Sequence, residues 1–181
     1  MADVPGFEVV HVMPPDEMLE RLREIPLLGQ PETRPYAQAE ISIERFRLSE
    51  LVSTTKYVQE DLLAVQAVLR RTSLLPQGYD SLDLREGRLT LEGDGQTVRL
   101  APPVVERYES EGEYKYILDG AHRTELARRV GQEEGEEDPE LTVIFVKDGI
   151  AYPPYALPNG WDEVRVVPER PADKSEWKNY R

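Results

Sequence analysis

Apolar residues fall into two rhythms along this chain. Alternation with period two over Phe7–Met13, Ile41–Leu48, Val104–Tyr108, Tyr114–Leu118 and Leu141–Lys147 predicts strands. Spacing near 3.6 predicts helices. The first starts at Pro14-Pro15-Asp16, with Met18, Leu19, Leu22 and Ile25 on one face, and stops at Pro26. A second, from about Tyr57 to Arg71, puts Val58, Leu62, Val65 and Leu69 in a core-facing stripe, with Thr54 or Thr55 as N-cap. Between these segments, Pro26 to Tyr36 reads as an extended connector. Ile41 and Ile43 are out of phase by one residue with Phe46 and Leu48, which predicts a bulge or bend. Three short runs, Leu82–Leu84, Leu89–Leu91 and Val98–Leu100, are separated by Gly-containing turns and read as a small β-meander.

The most informative stretch is Tyr114 to Gly131. Tyr114, Tyr116 and Leu118 alternate on one strand face, Asp119-Gly120 makes a tight turn, and a helix follows that Gly131 can end. A strand feeding directly into a helix leaves the first helical N–H groups without partners, and the helix dipole favours an anion there. That helix opens with His122 and Arg123, side chains suited to phosphate or carboxylate. The plain alternative is that Asp119 caps the helix and both side chains are solvated.

With its flanks, the segment resembles the core of the ParB-type partition-protein and sulfiredoxin superfamily. In that group a strand ends in a Gly-containing turn with basic residues: G-E-R-R in partition proteins, G-C-H-R in sulfiredoxins, and D-G-x-H-R in small-molecule kinases and related proteins. Asp119-Gly120-Ala121-His122-Arg123 matches the last pattern, and the resemblance extends over roughly Ile41 to Asp148. It implies an α+β fold, a small mixed sheet packed with helices. Residues 40–150 would form the core, residues 82–100 an insertion, residues 1–39 an N-terminal appendage, and residues 151–181 a Pro- and aromatic-rich wrapping segment.

The resemblance also implies nucleotide polyphosphate binding, since partition proteins use CTP, sulfiredoxins use ATP, and the kinases phosphorylate a free amino acid. Site residues carried over are Asp119, Gly120, Ala121, His122, Arg123 and Thr124, with Pro103 beside the turn. Glu50 occupies the place of the kinases' base. On the residues' own chemistry, the amides after Gly120 would hold a phosphate, Arg123 would fork onto its oxygens, and His122 would donate a hydrogen bond. Asp119 would orient His122 or reach Mg²⁺ through water.

Composition narrows these readings. A net charge of −13 from 35 acidic and 22 basic residues disfavours a DNA partner, because phosphate neutralisation needs clustered Lys and Arg. There is no cysteine, and Ala121 stands where sulfiredoxins carry their catalytic Cys, so that chemistry is excluded. No apolar run spans a bilayer and the N-terminus lacks a signal-peptide pattern, so a cytoplasmic protein is expected. The expected function is therefore a protein that binds ATP, ADP or CTP with Mg²⁺, as a phosphotransferase acting on a small hydroxylated metabolite or amino acid. The alternative is a nucleotide-dependent regulatory module working through a protein partner, with a homodimer as one possibility. In the last thirty residues Trp161 and Trp177 are candidates to stack on a base or line an acceptor pocket, and Lys174, Lys178 and Arg181 to close over an anion; wrapping over the domain is the simpler reading.

Overall fold

The computed structural model describes residues 6–27, 29–107, 114–147 and 158–173. A five-stranded mixed sheet organises the chain, in the order β2 (Glu40–Arg47), β9 (Glu140–Lys147), β7 (Val104–Arg107), β8 (Lys115–Asp119), β3 (Leu51–Ser53). β9 pairs antiparallel with β2 and parallel with β7; β8 is antiparallel to β7 and parallel to β3. Helices α2 (Glu60–Leu69) and α3 (Ala121–Glu134) cover one face, and α1 (Pro15–Arg23) covers the other.

Two apolar cores follow from that layering. Leu141, Val143 and Phe145 of β9 join Leu63, Leu126 and Ala127 on the α2/α3 face, while Ile144 and Val146 join Met13, Met18 and Ile41 on the other. A strand buried on both faces needs apolar residues at nearly every position, and β9, ELTVIFVK, has them. The phase slip in β2 arises because this edge strand sends apolar side chains to both faces. Its pairing with β9 runs without interruption from Glu40↔Lys147 to Arg47↔Glu140, so the expected bulge is absent. Ile41 and Ile43 face the α1 core; Phe46, and Leu48 just beyond the strand, face the α2/α3 core.

A second sheet, in the order β1 (Glu8–Met13), β5 (Arg88–Gly93), β6 (Gln96–Leu100), packs on Leu74 and Leu84. The expected meander is thus a hairpin completed by the N-terminal strand. Leu82–Leu84 does not form a strand because Asp80 bends the chain: its Oδ1 accepts the Leu82 N–H at 2.9 Å, and its carbonyl accepts the Asp83 N–H at 3.0 Å. Arg70 holds that carboxylate with two bonds of 2.7 Å.

Two helix boundaries differ from the sequence reading. Tyr57–Gln59 forms β4, parallel to β10 (Arg165–Val167), so α2 starts three residues late and the stripe drawn from Tyr57 loses its phase. Val58 is fully buried in that strand and Leu63 carries the helix's core contact, whereas Leu62 and Val65 are 41% and 62% exposed. α3 runs through Gly131 to end at Gly135. Gly131 serves close packing instead: a Cβ there would stand 2.7 Å from Pro139 Cγ and 2.9 Å from the Glu136 carbonyl oxygen.

The connector before β2 is tied to the sheet by one buried polar contact. The Tyr36 hydroxyl donates to Glu106, a 4% exposed carboxyl on the middle strand β7. Arg23 Nη1 fixes the backbone beside it through the Ala39 carbonyl at 2.6 Å. Burial raises the Glu106 carboxyl to about 7, the Tyr36 bond opposing, and burial followed by the nearby carboxylate raises the Tyr36 phenol. A folded pKa above the unfolded value of 4.5 means stability that is present below 4.5 and lost as pH rises through about 7. Urea titrations are expected to show up to about 3 kcal/mol of such loss between those limits. Glu106→Gln is expected to flatten that part of the profile, and an unchanged slope would remove Glu106 as its source.

Candidate functional site

The site is built where β8 hands over to α3. Gly120, with φ of 102° and ψ of 19°, occupies the left-handed region that side chains avoid. It also lies against Pro103: a Cβ would come within 2.5 Å of the proline Cβ. Pro103 is buried and its carbonyl accepts the Ile144 N–H at 2.8 Å. It therefore acts as the buttress under the turn, and the expected ligand contact from it is not what the packing shows. Thr124 is likewise used internally, since its N–H and Oγ1 both donate to the Gly120 carbonyl at 3.0 Å and it has no exposed surface.

The amides of Ala121, His122 and Arg123 are different. No side chain caps this helix, Asp119 included, and no acceptor for these three amides occurs among the described residues. Arg123 stands beneath them, 9% exposed, with Nη1 donating to the Ala101 carbonyl. Burial lowers its pKa and Asp119, exposed at the end of β8, works in the opposite direction. The guanidinium is thus lodged under the turn, where the sequence reading had it reaching outward.

His122 joins the two covering helices. Its Nε2 accepts the Gln59 N–H, the residue preceding α2, at 3.0 Å, so the ring is neutral with its proton on Nδ1. Burial and then the charge of Arg170 hold its pKa below the ordinary histidine value, with Asp61 opposing. One ring nitrogen is therefore committed to the backbone and only Nδ1–H is left to donate. Beside it opens a cleft of about 780 Å³ lined by Gln59, Glu60, Asp61, Pro168, Glu169 and Arg170.

Glu50 is not part of this arrangement. Its Oε2 accepts the Arg47 N–H at 2.9 Å and its Oε1 lies 3.2 Å from Lys115 Nζ, contacts that lower its pKa, the Arg47 amide most. Lys115 begins β8 whereas the turn follows its last residue, so the strand's length, about 13 Å, separates them. The carboxylates beside His122 are Asp61 and Glu60 instead. Setting the start of α2 at Tyr57 concealed them, and Arg170 arrives from a distant Pro-rich segment with no local signal.

For Mg²⁺, no group of three or more His, Cys, Asp or Glu able to hold an ion occurs among the described residues, Asp119 included. Trp161 is 9% exposed and belongs to the α2/α3 core, which favours wrapping over base stacking. Tyr152, Tyr155, Lys174, Trp177, Lys178, Tyr180 and Arg181 lie outside the described residues. Among the described residues no helix is long and apolar enough to cross a membrane.

A mixed sheet handing a strand to a helix through a Gly turn, with helices on both faces, is an α+β ParB-like architecture. The sequence profile of the ParB CE domain matches residues 17–165, from α1 to the first residue of β10, and the chain belongs to that family. No curated protein and no solved structure matches the chain.

Two outcomes test this geometry. Gly120→Ala is expected to destabilise the fold by at least about 1–3 kcal/mol from backbone strain, with further cost from displacing Pro103; a melting temperature equal to wild type would contradict the close approach. His122, whose folded pKa is depressed, contributes stability above the unfolded value of 6.5 that is lost as pH falls through the folded one. Its ring resonances are expected to titrate below 6.5, with protonation releasing the Gln59 amide to fast hydrogen exchange.

Proposed function

We propose that this domain binds the polyphosphate of a nucleotide, ATP, ADP or CTP, at the first turn of α3. The observation that carries the reading is the set of three first-turn amides, presented by the Gly120 turn, for which no acceptor occurs among the described residues; His122 of the same turn bonds Gln59 at the edge of the Arg170 cleft. Amides at a helix start aimed at one point form an anion cradle. Arg123 adds charge from below, His122 Nδ1–H can donate, and the positive charge of Arg170 reaches His122. Membership of the ParB CE domain family supports a ligand at this turn.

Glu60, Asp61 and Glu169 would repel a bare triphosphate. Binding is therefore expected to need Mg²⁺ carried on the phosphates, with Asp61 or Asp119 reaching it through water. The reaction that best suits such a site is phosphoryl transfer to a small hydroxylated metabolite or amino acid, which depends on positioning and charge neutralisation. Asp61, next to His122, replaces Glu50 as the candidate to accept the hydroxyl proton. A nucleotide-dependent switch acting through another protein uses the same cradle without the acceptor. Duplex DNA fits least, given the net charge of −13.

Thermal denaturation with ATP, ADP and CTP, each with and without Mg²⁺, tests the reading. A nucleotide present at 100 times its Kd is expected to add about 2.7 kcal/mol of stability, only with Mg²⁺, and Arg170→Ala to diminish the gain. Absence of any shift with all three nucleotides would defeat it. A positive shift followed by phosphate transfer to hydroxylated metabolites, lost in Asp61→Asn, separates the enzyme from the switch.

A further inference from the structure

A groove opens between the two covering helices because α2 turns small side chains towards α3. Ala64 and Ala67 stand beside Leu63 on one wall, and Leu126 and Val130 form the other. With alanines where larger side chains would have filled the gap, about 520 Å³ stays open over an apolar floor. Room of that size and character suits an aromatic ring.

The charges on the rim are unequal. Asp80 already engages Arg70, and the buried Glu125 holds Arg129. Glu60, Glu133 and Glu134 are left to face a single guanidinium, that of Arg71, and none of these four makes an ion pair among the described residues. The complement of this rim is a basic segment with one acidic residue and aromatic side chains.

The chain carries such a segment within reach. Pro168 to Arg170 run beside the start of α2, and Glu60 and Ala64 line both that cleft and the groove. Three residues on, Asp173 leads into KSEWKNYR, residues 174–181. Eight extended residues reach up to about 26 Å, whereas the ten residues of α2 rise only about 15 Å. Trp177 and Tyr180 suit the apolar floor, Lys174, Lys178 and Arg181 match the three carboxylates, and Glu176 matches Arg71.

We propose that the groove between α2 and α3 is the docking site of residues 174–181 of the same chain, with the Trp177 indole over Ala64 and Ala67. Docked there, the segment closes the helical layer next to the Arg170 cleft. The proposal does not depend on the nucleotide reading and is tested without nucleotide.

The chain has two tryptophans, so the emission lost in Trp177→Phe reports that residue alone. In the full chain this component is expected to be blue-shifted and shielded from acrylamide relative to the free peptide KSEWKNYR, to the same degree at every protein concentration. Ala67→Glu fills the groove, and Glu133→Lys combined with Glu134→Lys reverses an exposed part of its rim. Each change is expected to return the Trp177 emission to that of the peptide. Circular dichroism identical to wild type identifies the variants that are folded, and the exposed lysine pair provides one if Ala67→Glu does not fold. Emission that matches the free peptide in the full chain, shielding that the folded variants leave unchanged, or shielding that appears only as concentration rises and so comes from a second copy would each overturn the proposal.

Discussion

Everything at the candidate site hangs from the missing side chain at residue 120. The backbone there adopts a φ of 102° and rests on Pro103, a contact that no other residue could make without moving β7 or α3. Pro103 in turn is bonded through its carbonyl to Ile144, in the middle of β9. The height and direction at which α3 leaves the sheet are therefore set by the most deeply buried strand, and the amides of its first turn inherit that rigidity. A first turn made of main chain has no rotamers to lose, so its order comes from the scaffold.

The same turn ties the two covering helices together. His122 leaves α3 and accepts the amide in front of α2, and the cleft that opens beside that bond has the start of α2 as one wall and Pro168 to Arg170 as the other. Arg123 serves the turn from underneath by bonding Ala101, and Thr124 closes on Gly120. Three of the polar residues at this turn, His122, Arg123 and Thr124, thus bond the chain's own backbone. The first-turn main-chain N–H groups, for which no acceptor occurs among the described residues, and the second histidine N–H lie close to the charge of Arg170 and to the carboxylates of Glu60, Asp61 and Glu169.

Much of this was legible in the sequence. The D-G-x-H-R turn, the strand before it and the helix after it appear where the pattern of Tyr114 to Gly131 puts them, because local chemistry decides a Gly turn. The rest depended on tertiary context. Whether Pro103 touches the turn cannot be read from spacing, and Glu50 rests on the resemblance alone; the parallel pairing that sets Leu51 opposite Lys115 puts it at the far end of β8 from the turn. The slip between Ile43 and Phe46 is a signature of a strand that gives apolar side chains to a core on each face, a pattern easily taken for a bulge. The stripe through Leu62 and Val65 failed for a different reason: a helix apolar all round offers no phase from which to choose its inner face.

β9 carries a consequence of its own. Its odd-numbered residues Leu141, Val143 and Phe145 anchor one core and its even-numbered residues Ile144 and Val146 the other, so no local fluctuation can free it while either core survives. Its central amides are thus set to exchange with solvent only through global unfolding, and the two halves of the molecule melt as one cooperative unit.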